Sequence, residues 1–243
     1  MAYTKRGTSA RKAPSVTLSK VLQIAGKTLF WFFIITIVWV LSLRFINPPI
    51  TWLMVQRGFE RKADDKEWKL EKKWRNFDEL SNNLKYAAMA GEDSRFLLHW
   101  GFDMSSIRKA YEKNQAGKPV RGGSTISQQT AKNVFLWPGR SWIRKGFEAY
   151  FTALIELLWS KKRIMEVYLN VIEMGDGIYG AEAATQFYYK KSAVRLSKGE
   201  AALLIAVLPN PRRWTPLKPT PYIYRKQFLI FRNMRRIKKL KFE

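Results

Sequence analysis

The sequence predicts a mainly α-helical protein with one membrane-spanning helix near its N-terminus. Residues 28–43 form an uncharged apolar stretch. Apolar residues recur at three- and four-residue spacing in later segments, as they do on one face of a helix. The alternating patterns of strands and the Asn-Gly hairpin turns are missing. At 243 residues, the chain has the length of one anchored domain.

The apolar stretch reads TLFWFFIITIVWVLSL, and Ile46 extends it past a single Arg44. A spanning helix needs roughly 20 mostly apolar residues, so residues 28–46 are predicted to be an anchor. A cleaved signal peptide is the alternative, but its apolar core is shorter and is followed by small residues. Six Lys and Arg and no acidic residue precede the stretch. The positive-inside rule therefore predicts that residues 1–27 form a basic cytoplasmic tail.

The charge of the chain narrows the class of partner. The sequence has 44 Lys and Arg against 19 Asp and Glu, a net charge of +25. Such an excess of positive charge favours a polyanionic partner, such as a nucleic acid, an anionic membrane or a phosphate-bearing substrate. Because the basic domain is predicted to lie outside the cytoplasm, no nucleic-acid partner is expected. Cysteine is absent, which excludes disulfides and thiolate metal sites.

After the anchor, residues 47–77 are predicted to be a charged connector near the headgroups, and residues 78–243 the functional domain. Five helices are predicted from periodicity and caps. They cover residues 79–90 behind an Asp78 cap, 103–115, 141–160, 162–174, and a segment that opens on a Ser197–Glu200 capping box and stops at Pro209 and Pro211. Glycines and cations in residues 116–125 predict a mobile loop.

The C-terminal tail, residues 212–243, contains 11 Lys or Arg and one acidic residue, interleaved with apolar residues. One interpretation is a basic amphipathic helix on an anionic bilayer. The other is a helix that packs on the domain and leaves its basic face in water. The sequence leaves both open.

Two polar segments are candidates for chemistry. In AGEDSRFLLHWG, residues 90–101, the adjacent carboxylates of Glu92 and Asp93 repel each other. The pair is either an exposed acidic pair at the end of a helix or part of a functional site. In GGSTISQQTAKN, residues 122–133, polar side chains gather where a loop meets a helix, and helix N-termini attract anions. A capped polar helix is the plainer interpretation of this second segment.

Two further segments combine charge with helical spacing. In RKGFEAYFTALIE, Arg144 and Lys145 lie one turn before Glu148, a pattern that also fits a surface salt bridge worth less than about 1 kcal/mol. In KKRIMEVYLNVIEMG, residues 161–175, the polar side chains Glu166, Asn170 and Glu173 share a face, and the apolar residues between them are predicted to be core.

These four blocks, in this order, resemble the family 51 peptidoglycan glycosyltransferases, which polymerise lipid II. The resemblance covers roughly residues 79–211. The motif EDxxFxxHxG is matched by Glu92, Asp93, Phe96, His99 and Gly101, and GGSTIxQQxxKN is matched by residues 122–133. The motif RKxxEA is matched by Arg144, Lys145, Glu148 and Ala149. The motif KxRIxExYLNxxxxG is matched by Lys161, Arg163, Ile164, Glu166, Tyr168, Leu169, Asn170 and Gly175.

The resemblance implies a lysozyme-like fold with a membrane-associated lobe, on the outer side of a bacterial inner membrane. Glu92 matches the general base that activates the acceptor GlcNAc 4-hydroxyl, and Asp93 is expected to raise its proton affinity and to contact substrate. Glu148 matches a second catalytic carboxylate, expected to hold cations or the donor sugar. The remaining expected substrate-binding residues are Thr125, Gln129, Lys132, Asn133, Arg144 and Lys145. Phe96 and His99 are expected to be structural.

Several alternatives remain at this level. A lysozyme-like hydrolase would use Glu92 as an acid and would gain nothing from a cation cluster. A silent scaffold would bind anionic lipid and recruit division or wall-synthesis proteins. The family often responds to Mg²⁺ or Mn²⁺, yet no ligand cluster in the sequence demands a metal. Transpeptidase motifs are incomplete, so a monofunctional enzyme is expected.

Overall fold

A computed structural model describes residues 18–115, 123–139, 141–237 and 242. Over these residues the chain is mostly helical, which confirms the predicted class. The described part contains ten α-helices. They are α1 (Leu18–Ser42), α2 (Trp52–Ala63), α3 (Asn82–Glu92), α4 (Met104–Gln115), α5 (Ile126–Phe135), α6 (Trp142–Leu158), α7 (Lys161–Val171), α8 (Ala181–Tyr189), α9 (Lys198–Ala206) and α10 (Pro221–Met234).

The chain divides into two compact units, Met1–Trp39 and Val40–Glu243. The described part of the first unit is the N-terminal part of α1, a 25-residue helix that is long and apolar enough to cross a membrane. It begins ten residues before the predicted anchor and ends at Ser42, four residues before the predicted end. In the second unit, the Arg163 guanidinium donates to the carbonyls of Leu43 and Ile46 at 2.9 and 2.8 Å, which holds this segment in a turn.

The connector is more regular than the sequence indicated. It contains α2 and a two-residue strand, β1 (Glu71–Lys72), which pairs parallel with β3 (Ile178–Tyr179). Strand β2 (Glu173–Gly175) pairs antiparallel with β3, so the sheet order is β1-β3-β2. The sequence missed this sheet because two- and three-residue strands are too short to show alternation. The helix predicted over 162–174 was also too long, because α7 ends at Val171 and the short strand β2 begins at Glu173.

Several helices begin at capping residues. Ser197 caps α9 as predicted, with the Ser197–Glu200 capping box formed, and Ser141 caps α6 by accepting from the Arg144 amide. The predicted Asp78 cap is wrong. Ser81 caps α3 by accepting from the Asn83 amide, and Asp78 lies in a short 3₁₀ turn, Phe77–Glu79. Most of the predicted mobile loop, residues 116–122, lies outside the described residues.

The core forms around α7, whose apolar side chains are fully buried. Helix α5 packs against α6 and α7, and α9 packs against α3 and α10. The C-terminal end of α3 and the N-terminal end of α5 therefore meet over the same core. The polar face of α7 makes structural hydrogen bonds. Glu166 accepts from the Phe77 amide at 2.8 Å. The Asn170 side chain accepts from the Arg75 amide and donates to the Arg75 carbonyl, both at 2.8 Å.

The basic tail contains α10, which buries Ile223, Ile230 and Met234 against the domain. Its phenylalanine and tyrosine side chains at 222, 224 and 228 remain exposed. Packing on the domain is therefore observed, and membrane binding by the exposed face stays a prediction.

Gly180, before α8, offers a test of the fold. Its φ of 78° and ψ of 160° are nearly exclusive to glycine, and a Cβ there would lie 2.6 Å from the Asn170 carbonyl oxygen. We expect Gly180→Ala to lower the free energy of unfolding by at least about 2 kcal/mol in denaturant titrations.

Gly146→Ala is the matched control, because Gly146 is exposed within α6 and a Cβ there meets nothing within 4 Å. Helix propensity predicts a gain of up to about 1 kcal/mol. Equal stability changes in the two variants would contradict this account of Gly180.

Candidate active site

Glu92 is the last residue of α3 and opens on a cleft of about 780 Å³. We name this cleft the Glu92 cavity. Its polar lining comes from Glu92, from Gln129 and Lys132 of α5, and from Arg225, Lys226 and Asn233 of α10.

Gln129 holds the Glu92 carboxylate in place. Its Nε2 donates to Glu92 Oε2 at 3.0 Å, and its Oε1 lies 3.5 Å from the Tyr168 hydroxyl. Because the Tyr168 hydroxyl donates to the amide oxygen, the amide nitrogen faces Glu92. The fully buried Tyr168 thereby sets the orientation of the Gln129 amide.

Burial raises the pKa of Glu92 above its ordinary value, and this is the largest influence on it. The Gln129 hydrogen bond and the charges of Lys226 and Lys132 oppose the rise, and Asp93 adds the smallest contribution. The expectation that Asp93 raises the proton affinity of Glu92 holds in direction. The main cause is different, because surrounding protein atoms exclude water from most of the carboxylate.

Asp93 is buried and fully engaged by the protein. Its carboxylate contacts His99 Nε2 at 3.0 and 3.1 Å and accepts from the Ile126 amide at 3.1 Å. These contacts give Asp93 a positioning role, and its expected contact with substrate stays a prediction. It joins the end of α3 to the first turn of α5.

His99 and Phe96 support the same loop. Lys161 Nζ donates to the His99 carbonyl at 2.7 Å and to Glu156 Oε1 at 2.7 Å, and it lies 4.6 Å from the Phe96 ring centroid. Phe96 is completely buried. These contacts lie within the protein, and the structural role expected for both residues stays a prediction.

Thr125 is also occupied within the protein. It caps α5 by accepting from the Gln128 amide at 3.1 Å, and its hydroxyl donates to the Gly101 carbonyl at 2.6 Å. Only 3% of Thr125 is exposed. Thr125 thus acts as a cap that orients α5, and its expected contact with substrate stays a prediction.

The second carboxylate, Glu148, lies buried on α6 and accepts from both Arg144, at 3.5 Å, and Lys145. Lys132 belongs to the same cluster, since burial lowers its pKa while Glu148 raises it and Arg144 lowers it. Three cations therefore share one buried carboxylate. The cluster carries net positive charge that a phosphate can neutralise.

A second cavity of about 330 Å³ adjoins this cluster, and we name it the Arg144 cavity. Its lining includes Arg144, Lys132, Asn133 and Gln129. Gln129, Lys132 and Leu208 also line the Glu92 cavity, so the two cavities adjoin at these side chains, and we refer to them together as the groove. The groove brings together the predicted Glu92, Gln129, Lys132, Asn133 and Arg144.

Sequence reasoning missed other residues of the groove. Arg57 of α2 and Glu173 of β2 line the Arg144 cavity and pair with each other at 3.3 Å. Arg225 and Lys226 line the Glu92 cavity from α10. Their spacing from Leu229 and Asn233 marks one helical face, and the sequence left the tail open between membrane binding and packing on the domain.

The described residues contain no group of three or more His, Cys, Asp or Glu that could hold a metal ion. The carboxylates of the groove are instead spread among cations. We therefore assign no step of the chemistry to a metal.

Carboxylates of raised pKa and a cation cluster line this groove, an arrangement typical of an enzyme active site. The comparisons with known proteins identify the class of enzyme. The transglycosylase family matches residues 61–235. The chain belongs to this family and is a glycosyltransferase.

Relatives named biosynthetic peptidoglycan transglycosylase cover most of the chain. The protein of Pseudomonas fluorescens Pf-5 is 49% identical over 208 residues, which are 86% of this chain and 87% of the relative. That of Stutzerimonas stutzeri is 48% identical over 220 residues, 90% and 91% of the two chains. That of Ectopseudomonas mendocina is 50% identical over 208 residues, 86% of each.

The role of Asp93 is testable by truncation. We expect Asp93→Ala to lower the free energy of unfolding by about 2–3 kcal/mol, because it leaves the Ile126 amide and His99 buried without a partner. Lys132 is not among the contacts of Asp93, so the folded variant should bind an anionic substrate nearly as well as the unmodified protein. Denaturant titrations and substrate titrations measure the two effects.

The control is Asp78→Ala, which removes an exposed carboxylate paired only with Lys162. It should leave stability nearly unchanged. An Asp93→Ala protein of normal stability but much weaker substrate binding would favour the substrate-contact interpretation.

Proposed function

We propose that this chain polymerises lipid II into peptidoglycan glycan strands and releases undecaprenyl pyrophosphate. The observation that carries the proposal is that the cavity of Glu92 adjoins the cavity of Arg144 at Lys132, with Lys145 paired to the same Glu148 as Arg144. The family membership and the names of the relatives support the same reaction.

In the proposed reaction, Glu92 takes the proton of the acceptor GlcNAc 4-hydroxyl as that oxygen attacks C1 of the donor MurNAc. The C1–O bond to the diphosphate breaks, and the configuration at C1 inverts. The raised pKa of Glu92 favours proton uptake as the transition state forms. A single displacement needs no second nucleophile, which leaves Glu148 free to hold cations.

The diphosphate gains negative charge as the C1–O bond breaks. Lys132, Arg144 and Lys145 are the groups proposed to neutralise it, with Glu148 fixing two of them. Asn133 lines the same cavity and is proposed to orient the donor. A carboxylate that pairs with two cations at once pre-organises both, so little reorganisation is needed during the reaction.

The setting of the reaction is a membrane. Helix α1 is long and apolar enough for a single-pass anchor, and the basic residues before it favour a cytoplasmic N-terminus. We propose an inner-membrane protein with its catalytic domain outside the cytoplasm, where lipid II and the anchored enzyme meet in two dimensions at high effective concentration. Contact with anionic lipids and with division or wall-synthesis proteins belongs to the same proposal.

A hydrolase is the main rival, because it would also use a carboxylate of raised pKa. It would cleave a neutral glycosidic bond and would have no use for three cations around Glu148. The cation cluster favours transfer from a diphosphate.

Replacement of the proposed base gives the direct test. We expect Glu92→Gln to fold, to bind lipid II and to lose at least about 99% of polymerisation, since general bases contribute 10²–10⁴-fold. Stability at neutral pH should be equal or higher, because the neutral amide avoids the burial that raises the pKa of Glu92. Labelled lipid II, with muramidase digestion of the product, measures the activity.

Glu67→Gln is the matched control, since the Glu67 side chain is exposed. It should polymerise like the unmodified protein. Polymerisation by Glu92→Gln at the normal rate would remove the base assignment, and breakdown of glycan without synthesis would favour the hydrolase.

The pH profile gives a second test. A base works only when deprotonated, and burial raises the pKa of Glu92 above the ordinary 4.5. We therefore expect kcat/KM to fall with decreasing pH at a midpoint above 4.5. Gln129→Leu removes a hydrogen bond that lowers this pKa, so the midpoint should move to higher pH. A midpoint that is unchanged in Gln129→Leu would contradict titration of Glu92.

A further inference from the structure

One acidic side chain, Glu173, lies among the cations of the Arg144 cavity. The described lining of this cavity contains Arg57, Lys132 and Arg144, and Glu173 is its only carboxylate. Glu173 is 6% exposed and is held on β2 by the short sheet. A buried carboxylate in this position opposes the binding of phosphate, so it does not serve the diphosphate of the donor.

The Glu173 carboxylate is only partly satisfied by the protein. Its Oε2 accepts from Arg57 Nε at 3.3 Å, and its Oε1 has no hydrogen-bond partner among the described residues. Arg57 makes a shorter bond to Glu60, at 2.6 Å. Burial raises the pKa of Glu173 and is the largest influence on it. Buried polar atoms rarely lack a partner in folded proteins, so an unpartnered oxygen at a cavity wall points to a hydrogen-bond donor from outside the chain.

The chemistry of the Arg144 cavity restricts what that hydrogen-bond donor can be. An ionised phosphate is excluded, because it has no proton to donate and its charge repels a carboxylate. In the proposed reaction, the cations of this cavity bind the diphosphate of the donor lipid, and the donor sugar is bonded directly to that diphosphate. The sugar presents uncharged O–H and N–H groups, so it can approach the carboxylate that the phosphates avoid. The cavity volume of about 330 Å³ is within the range of small-molecule sites.

We propose that Glu173 is a specificity-determining residue that accepts a hydrogen bond from an O–H or N–H group of the donor sugar. This inference rests on the proposed function. The terminal torsion of a glutamate is broad, so a small rotation presents a carboxylate oxygen to the cavity while the rest of the side chain stays packed. Glu173 thereby favours a lipid diphosphate that carries a sugar. The same charge repels the lipid diphosphate that is left after transfer, which has no sugar, and so favours its release.

The test compares the donor with its own leaving group. The donor is lipid II with its GlcNAc 4-hydroxyl removed, which cannot act as acceptor. The acceptor is lipid II with a methylene group in place of the C1 oxygen, which cannot act as donor. Initial rates of coupling by the full-length protein in detergent, at saturating acceptor, give the KM for the donor. A polyprenyl diphosphate without sugar, added as a competitor of the donor, gives a Ki, and the ratio of Ki to KM measures the preference for the sugar.

We expect Glu173→Gln to lower the ratio of Ki to KM roughly tenfold, because a neutral amide replaces the acceptor of a charge-assisted hydrogen bond. The KM for the donor should rise, whereas the Ki of the sugar-free diphosphate should stay equal or fall, since a negative charge has left its cavity. The variant should fold, because glutamine keeps the shape of the side chain and removes a charge that burial disfavours. Glu173→Asp, which keeps the charge but withdraws it by one methylene group, should also lower the ratio.

Arg57→Gln separates direct contact with the sugar from an effect through Arg57. Arg57 is a cation of the same cavity, so its loss should change the KM and the Ki in parallel. The ratio should then stay within about twofold of that of the unmodified protein, since the sugar contact of Glu173 is independent of the diphosphate contact.

Asp176→Asn is the matched control. Asp176 lies in the turn after β2, pairs with Arg61 and Arg212, and lines neither cavity, so its ratio should be that of the unmodified protein. The proposal is overturned if Glu173→Gln leaves the ratio unchanged, if it raises the KM and the Ki equally, or if Arg57→Gln or Asp176→Asn lowers the ratio as much. Failure of the unmodified protein to couple any donor would refute the proposed function itself, which is a distinct result.

Discussion

A single buried carboxylate, Asp93, connects the two helix ends on which the groove is built. It accepts from the Ile126 amide at the first turn of α5 and contacts His99, while its neighbour Glu92 faces the cleft. Consecutive residues at the end of α3 thereby point in different directions, one into the protein and one toward substrate. The 3.0 Å contact between Glu92 and Gln129 depends on this junction, since Gln129 lies one turn into α5.

The polar residues around this junction divide into a reactive group and a supporting group. Lys161, His99 and Thr125 satisfy backbone carbonyls or buried acids, and each is more than half buried. Buried polar groups are costly unless they are paired, and here the pairs hold the loops that present Glu92. The groove itself retains charges that are incompletely balanced, as expected where binding rather than stability has shaped the residues.

The groove also draws on segments outside the four motifs. Helix α2 supplies Arg57, the short sheet supplies Glu173, and α10 supplies Arg225 and Lys226. The Arg57–Glu173 pair joins the connector to the strand that follows α7. The connector was predicted to lie near the headgroups, and the basic tail was left open between membrane binding and packing on the domain. Both segments line the cleft in the folded protein.

Much of the chemistry was present in the sequence by itself. Spacing within one helix placed Arg144 and Lys145 beside Glu148, and the Ser197–Glu200 capping box located the start of α9, because these interactions join residues three or four apart. Tertiary structure alone decided that Asp93 and Thr125 face inward, that β1 and β2 both pair with β3, and that α10 lines the same cleft as Glu92. Each of these depends on partners that are distant in the chain, and no local pattern records where packing will bring them.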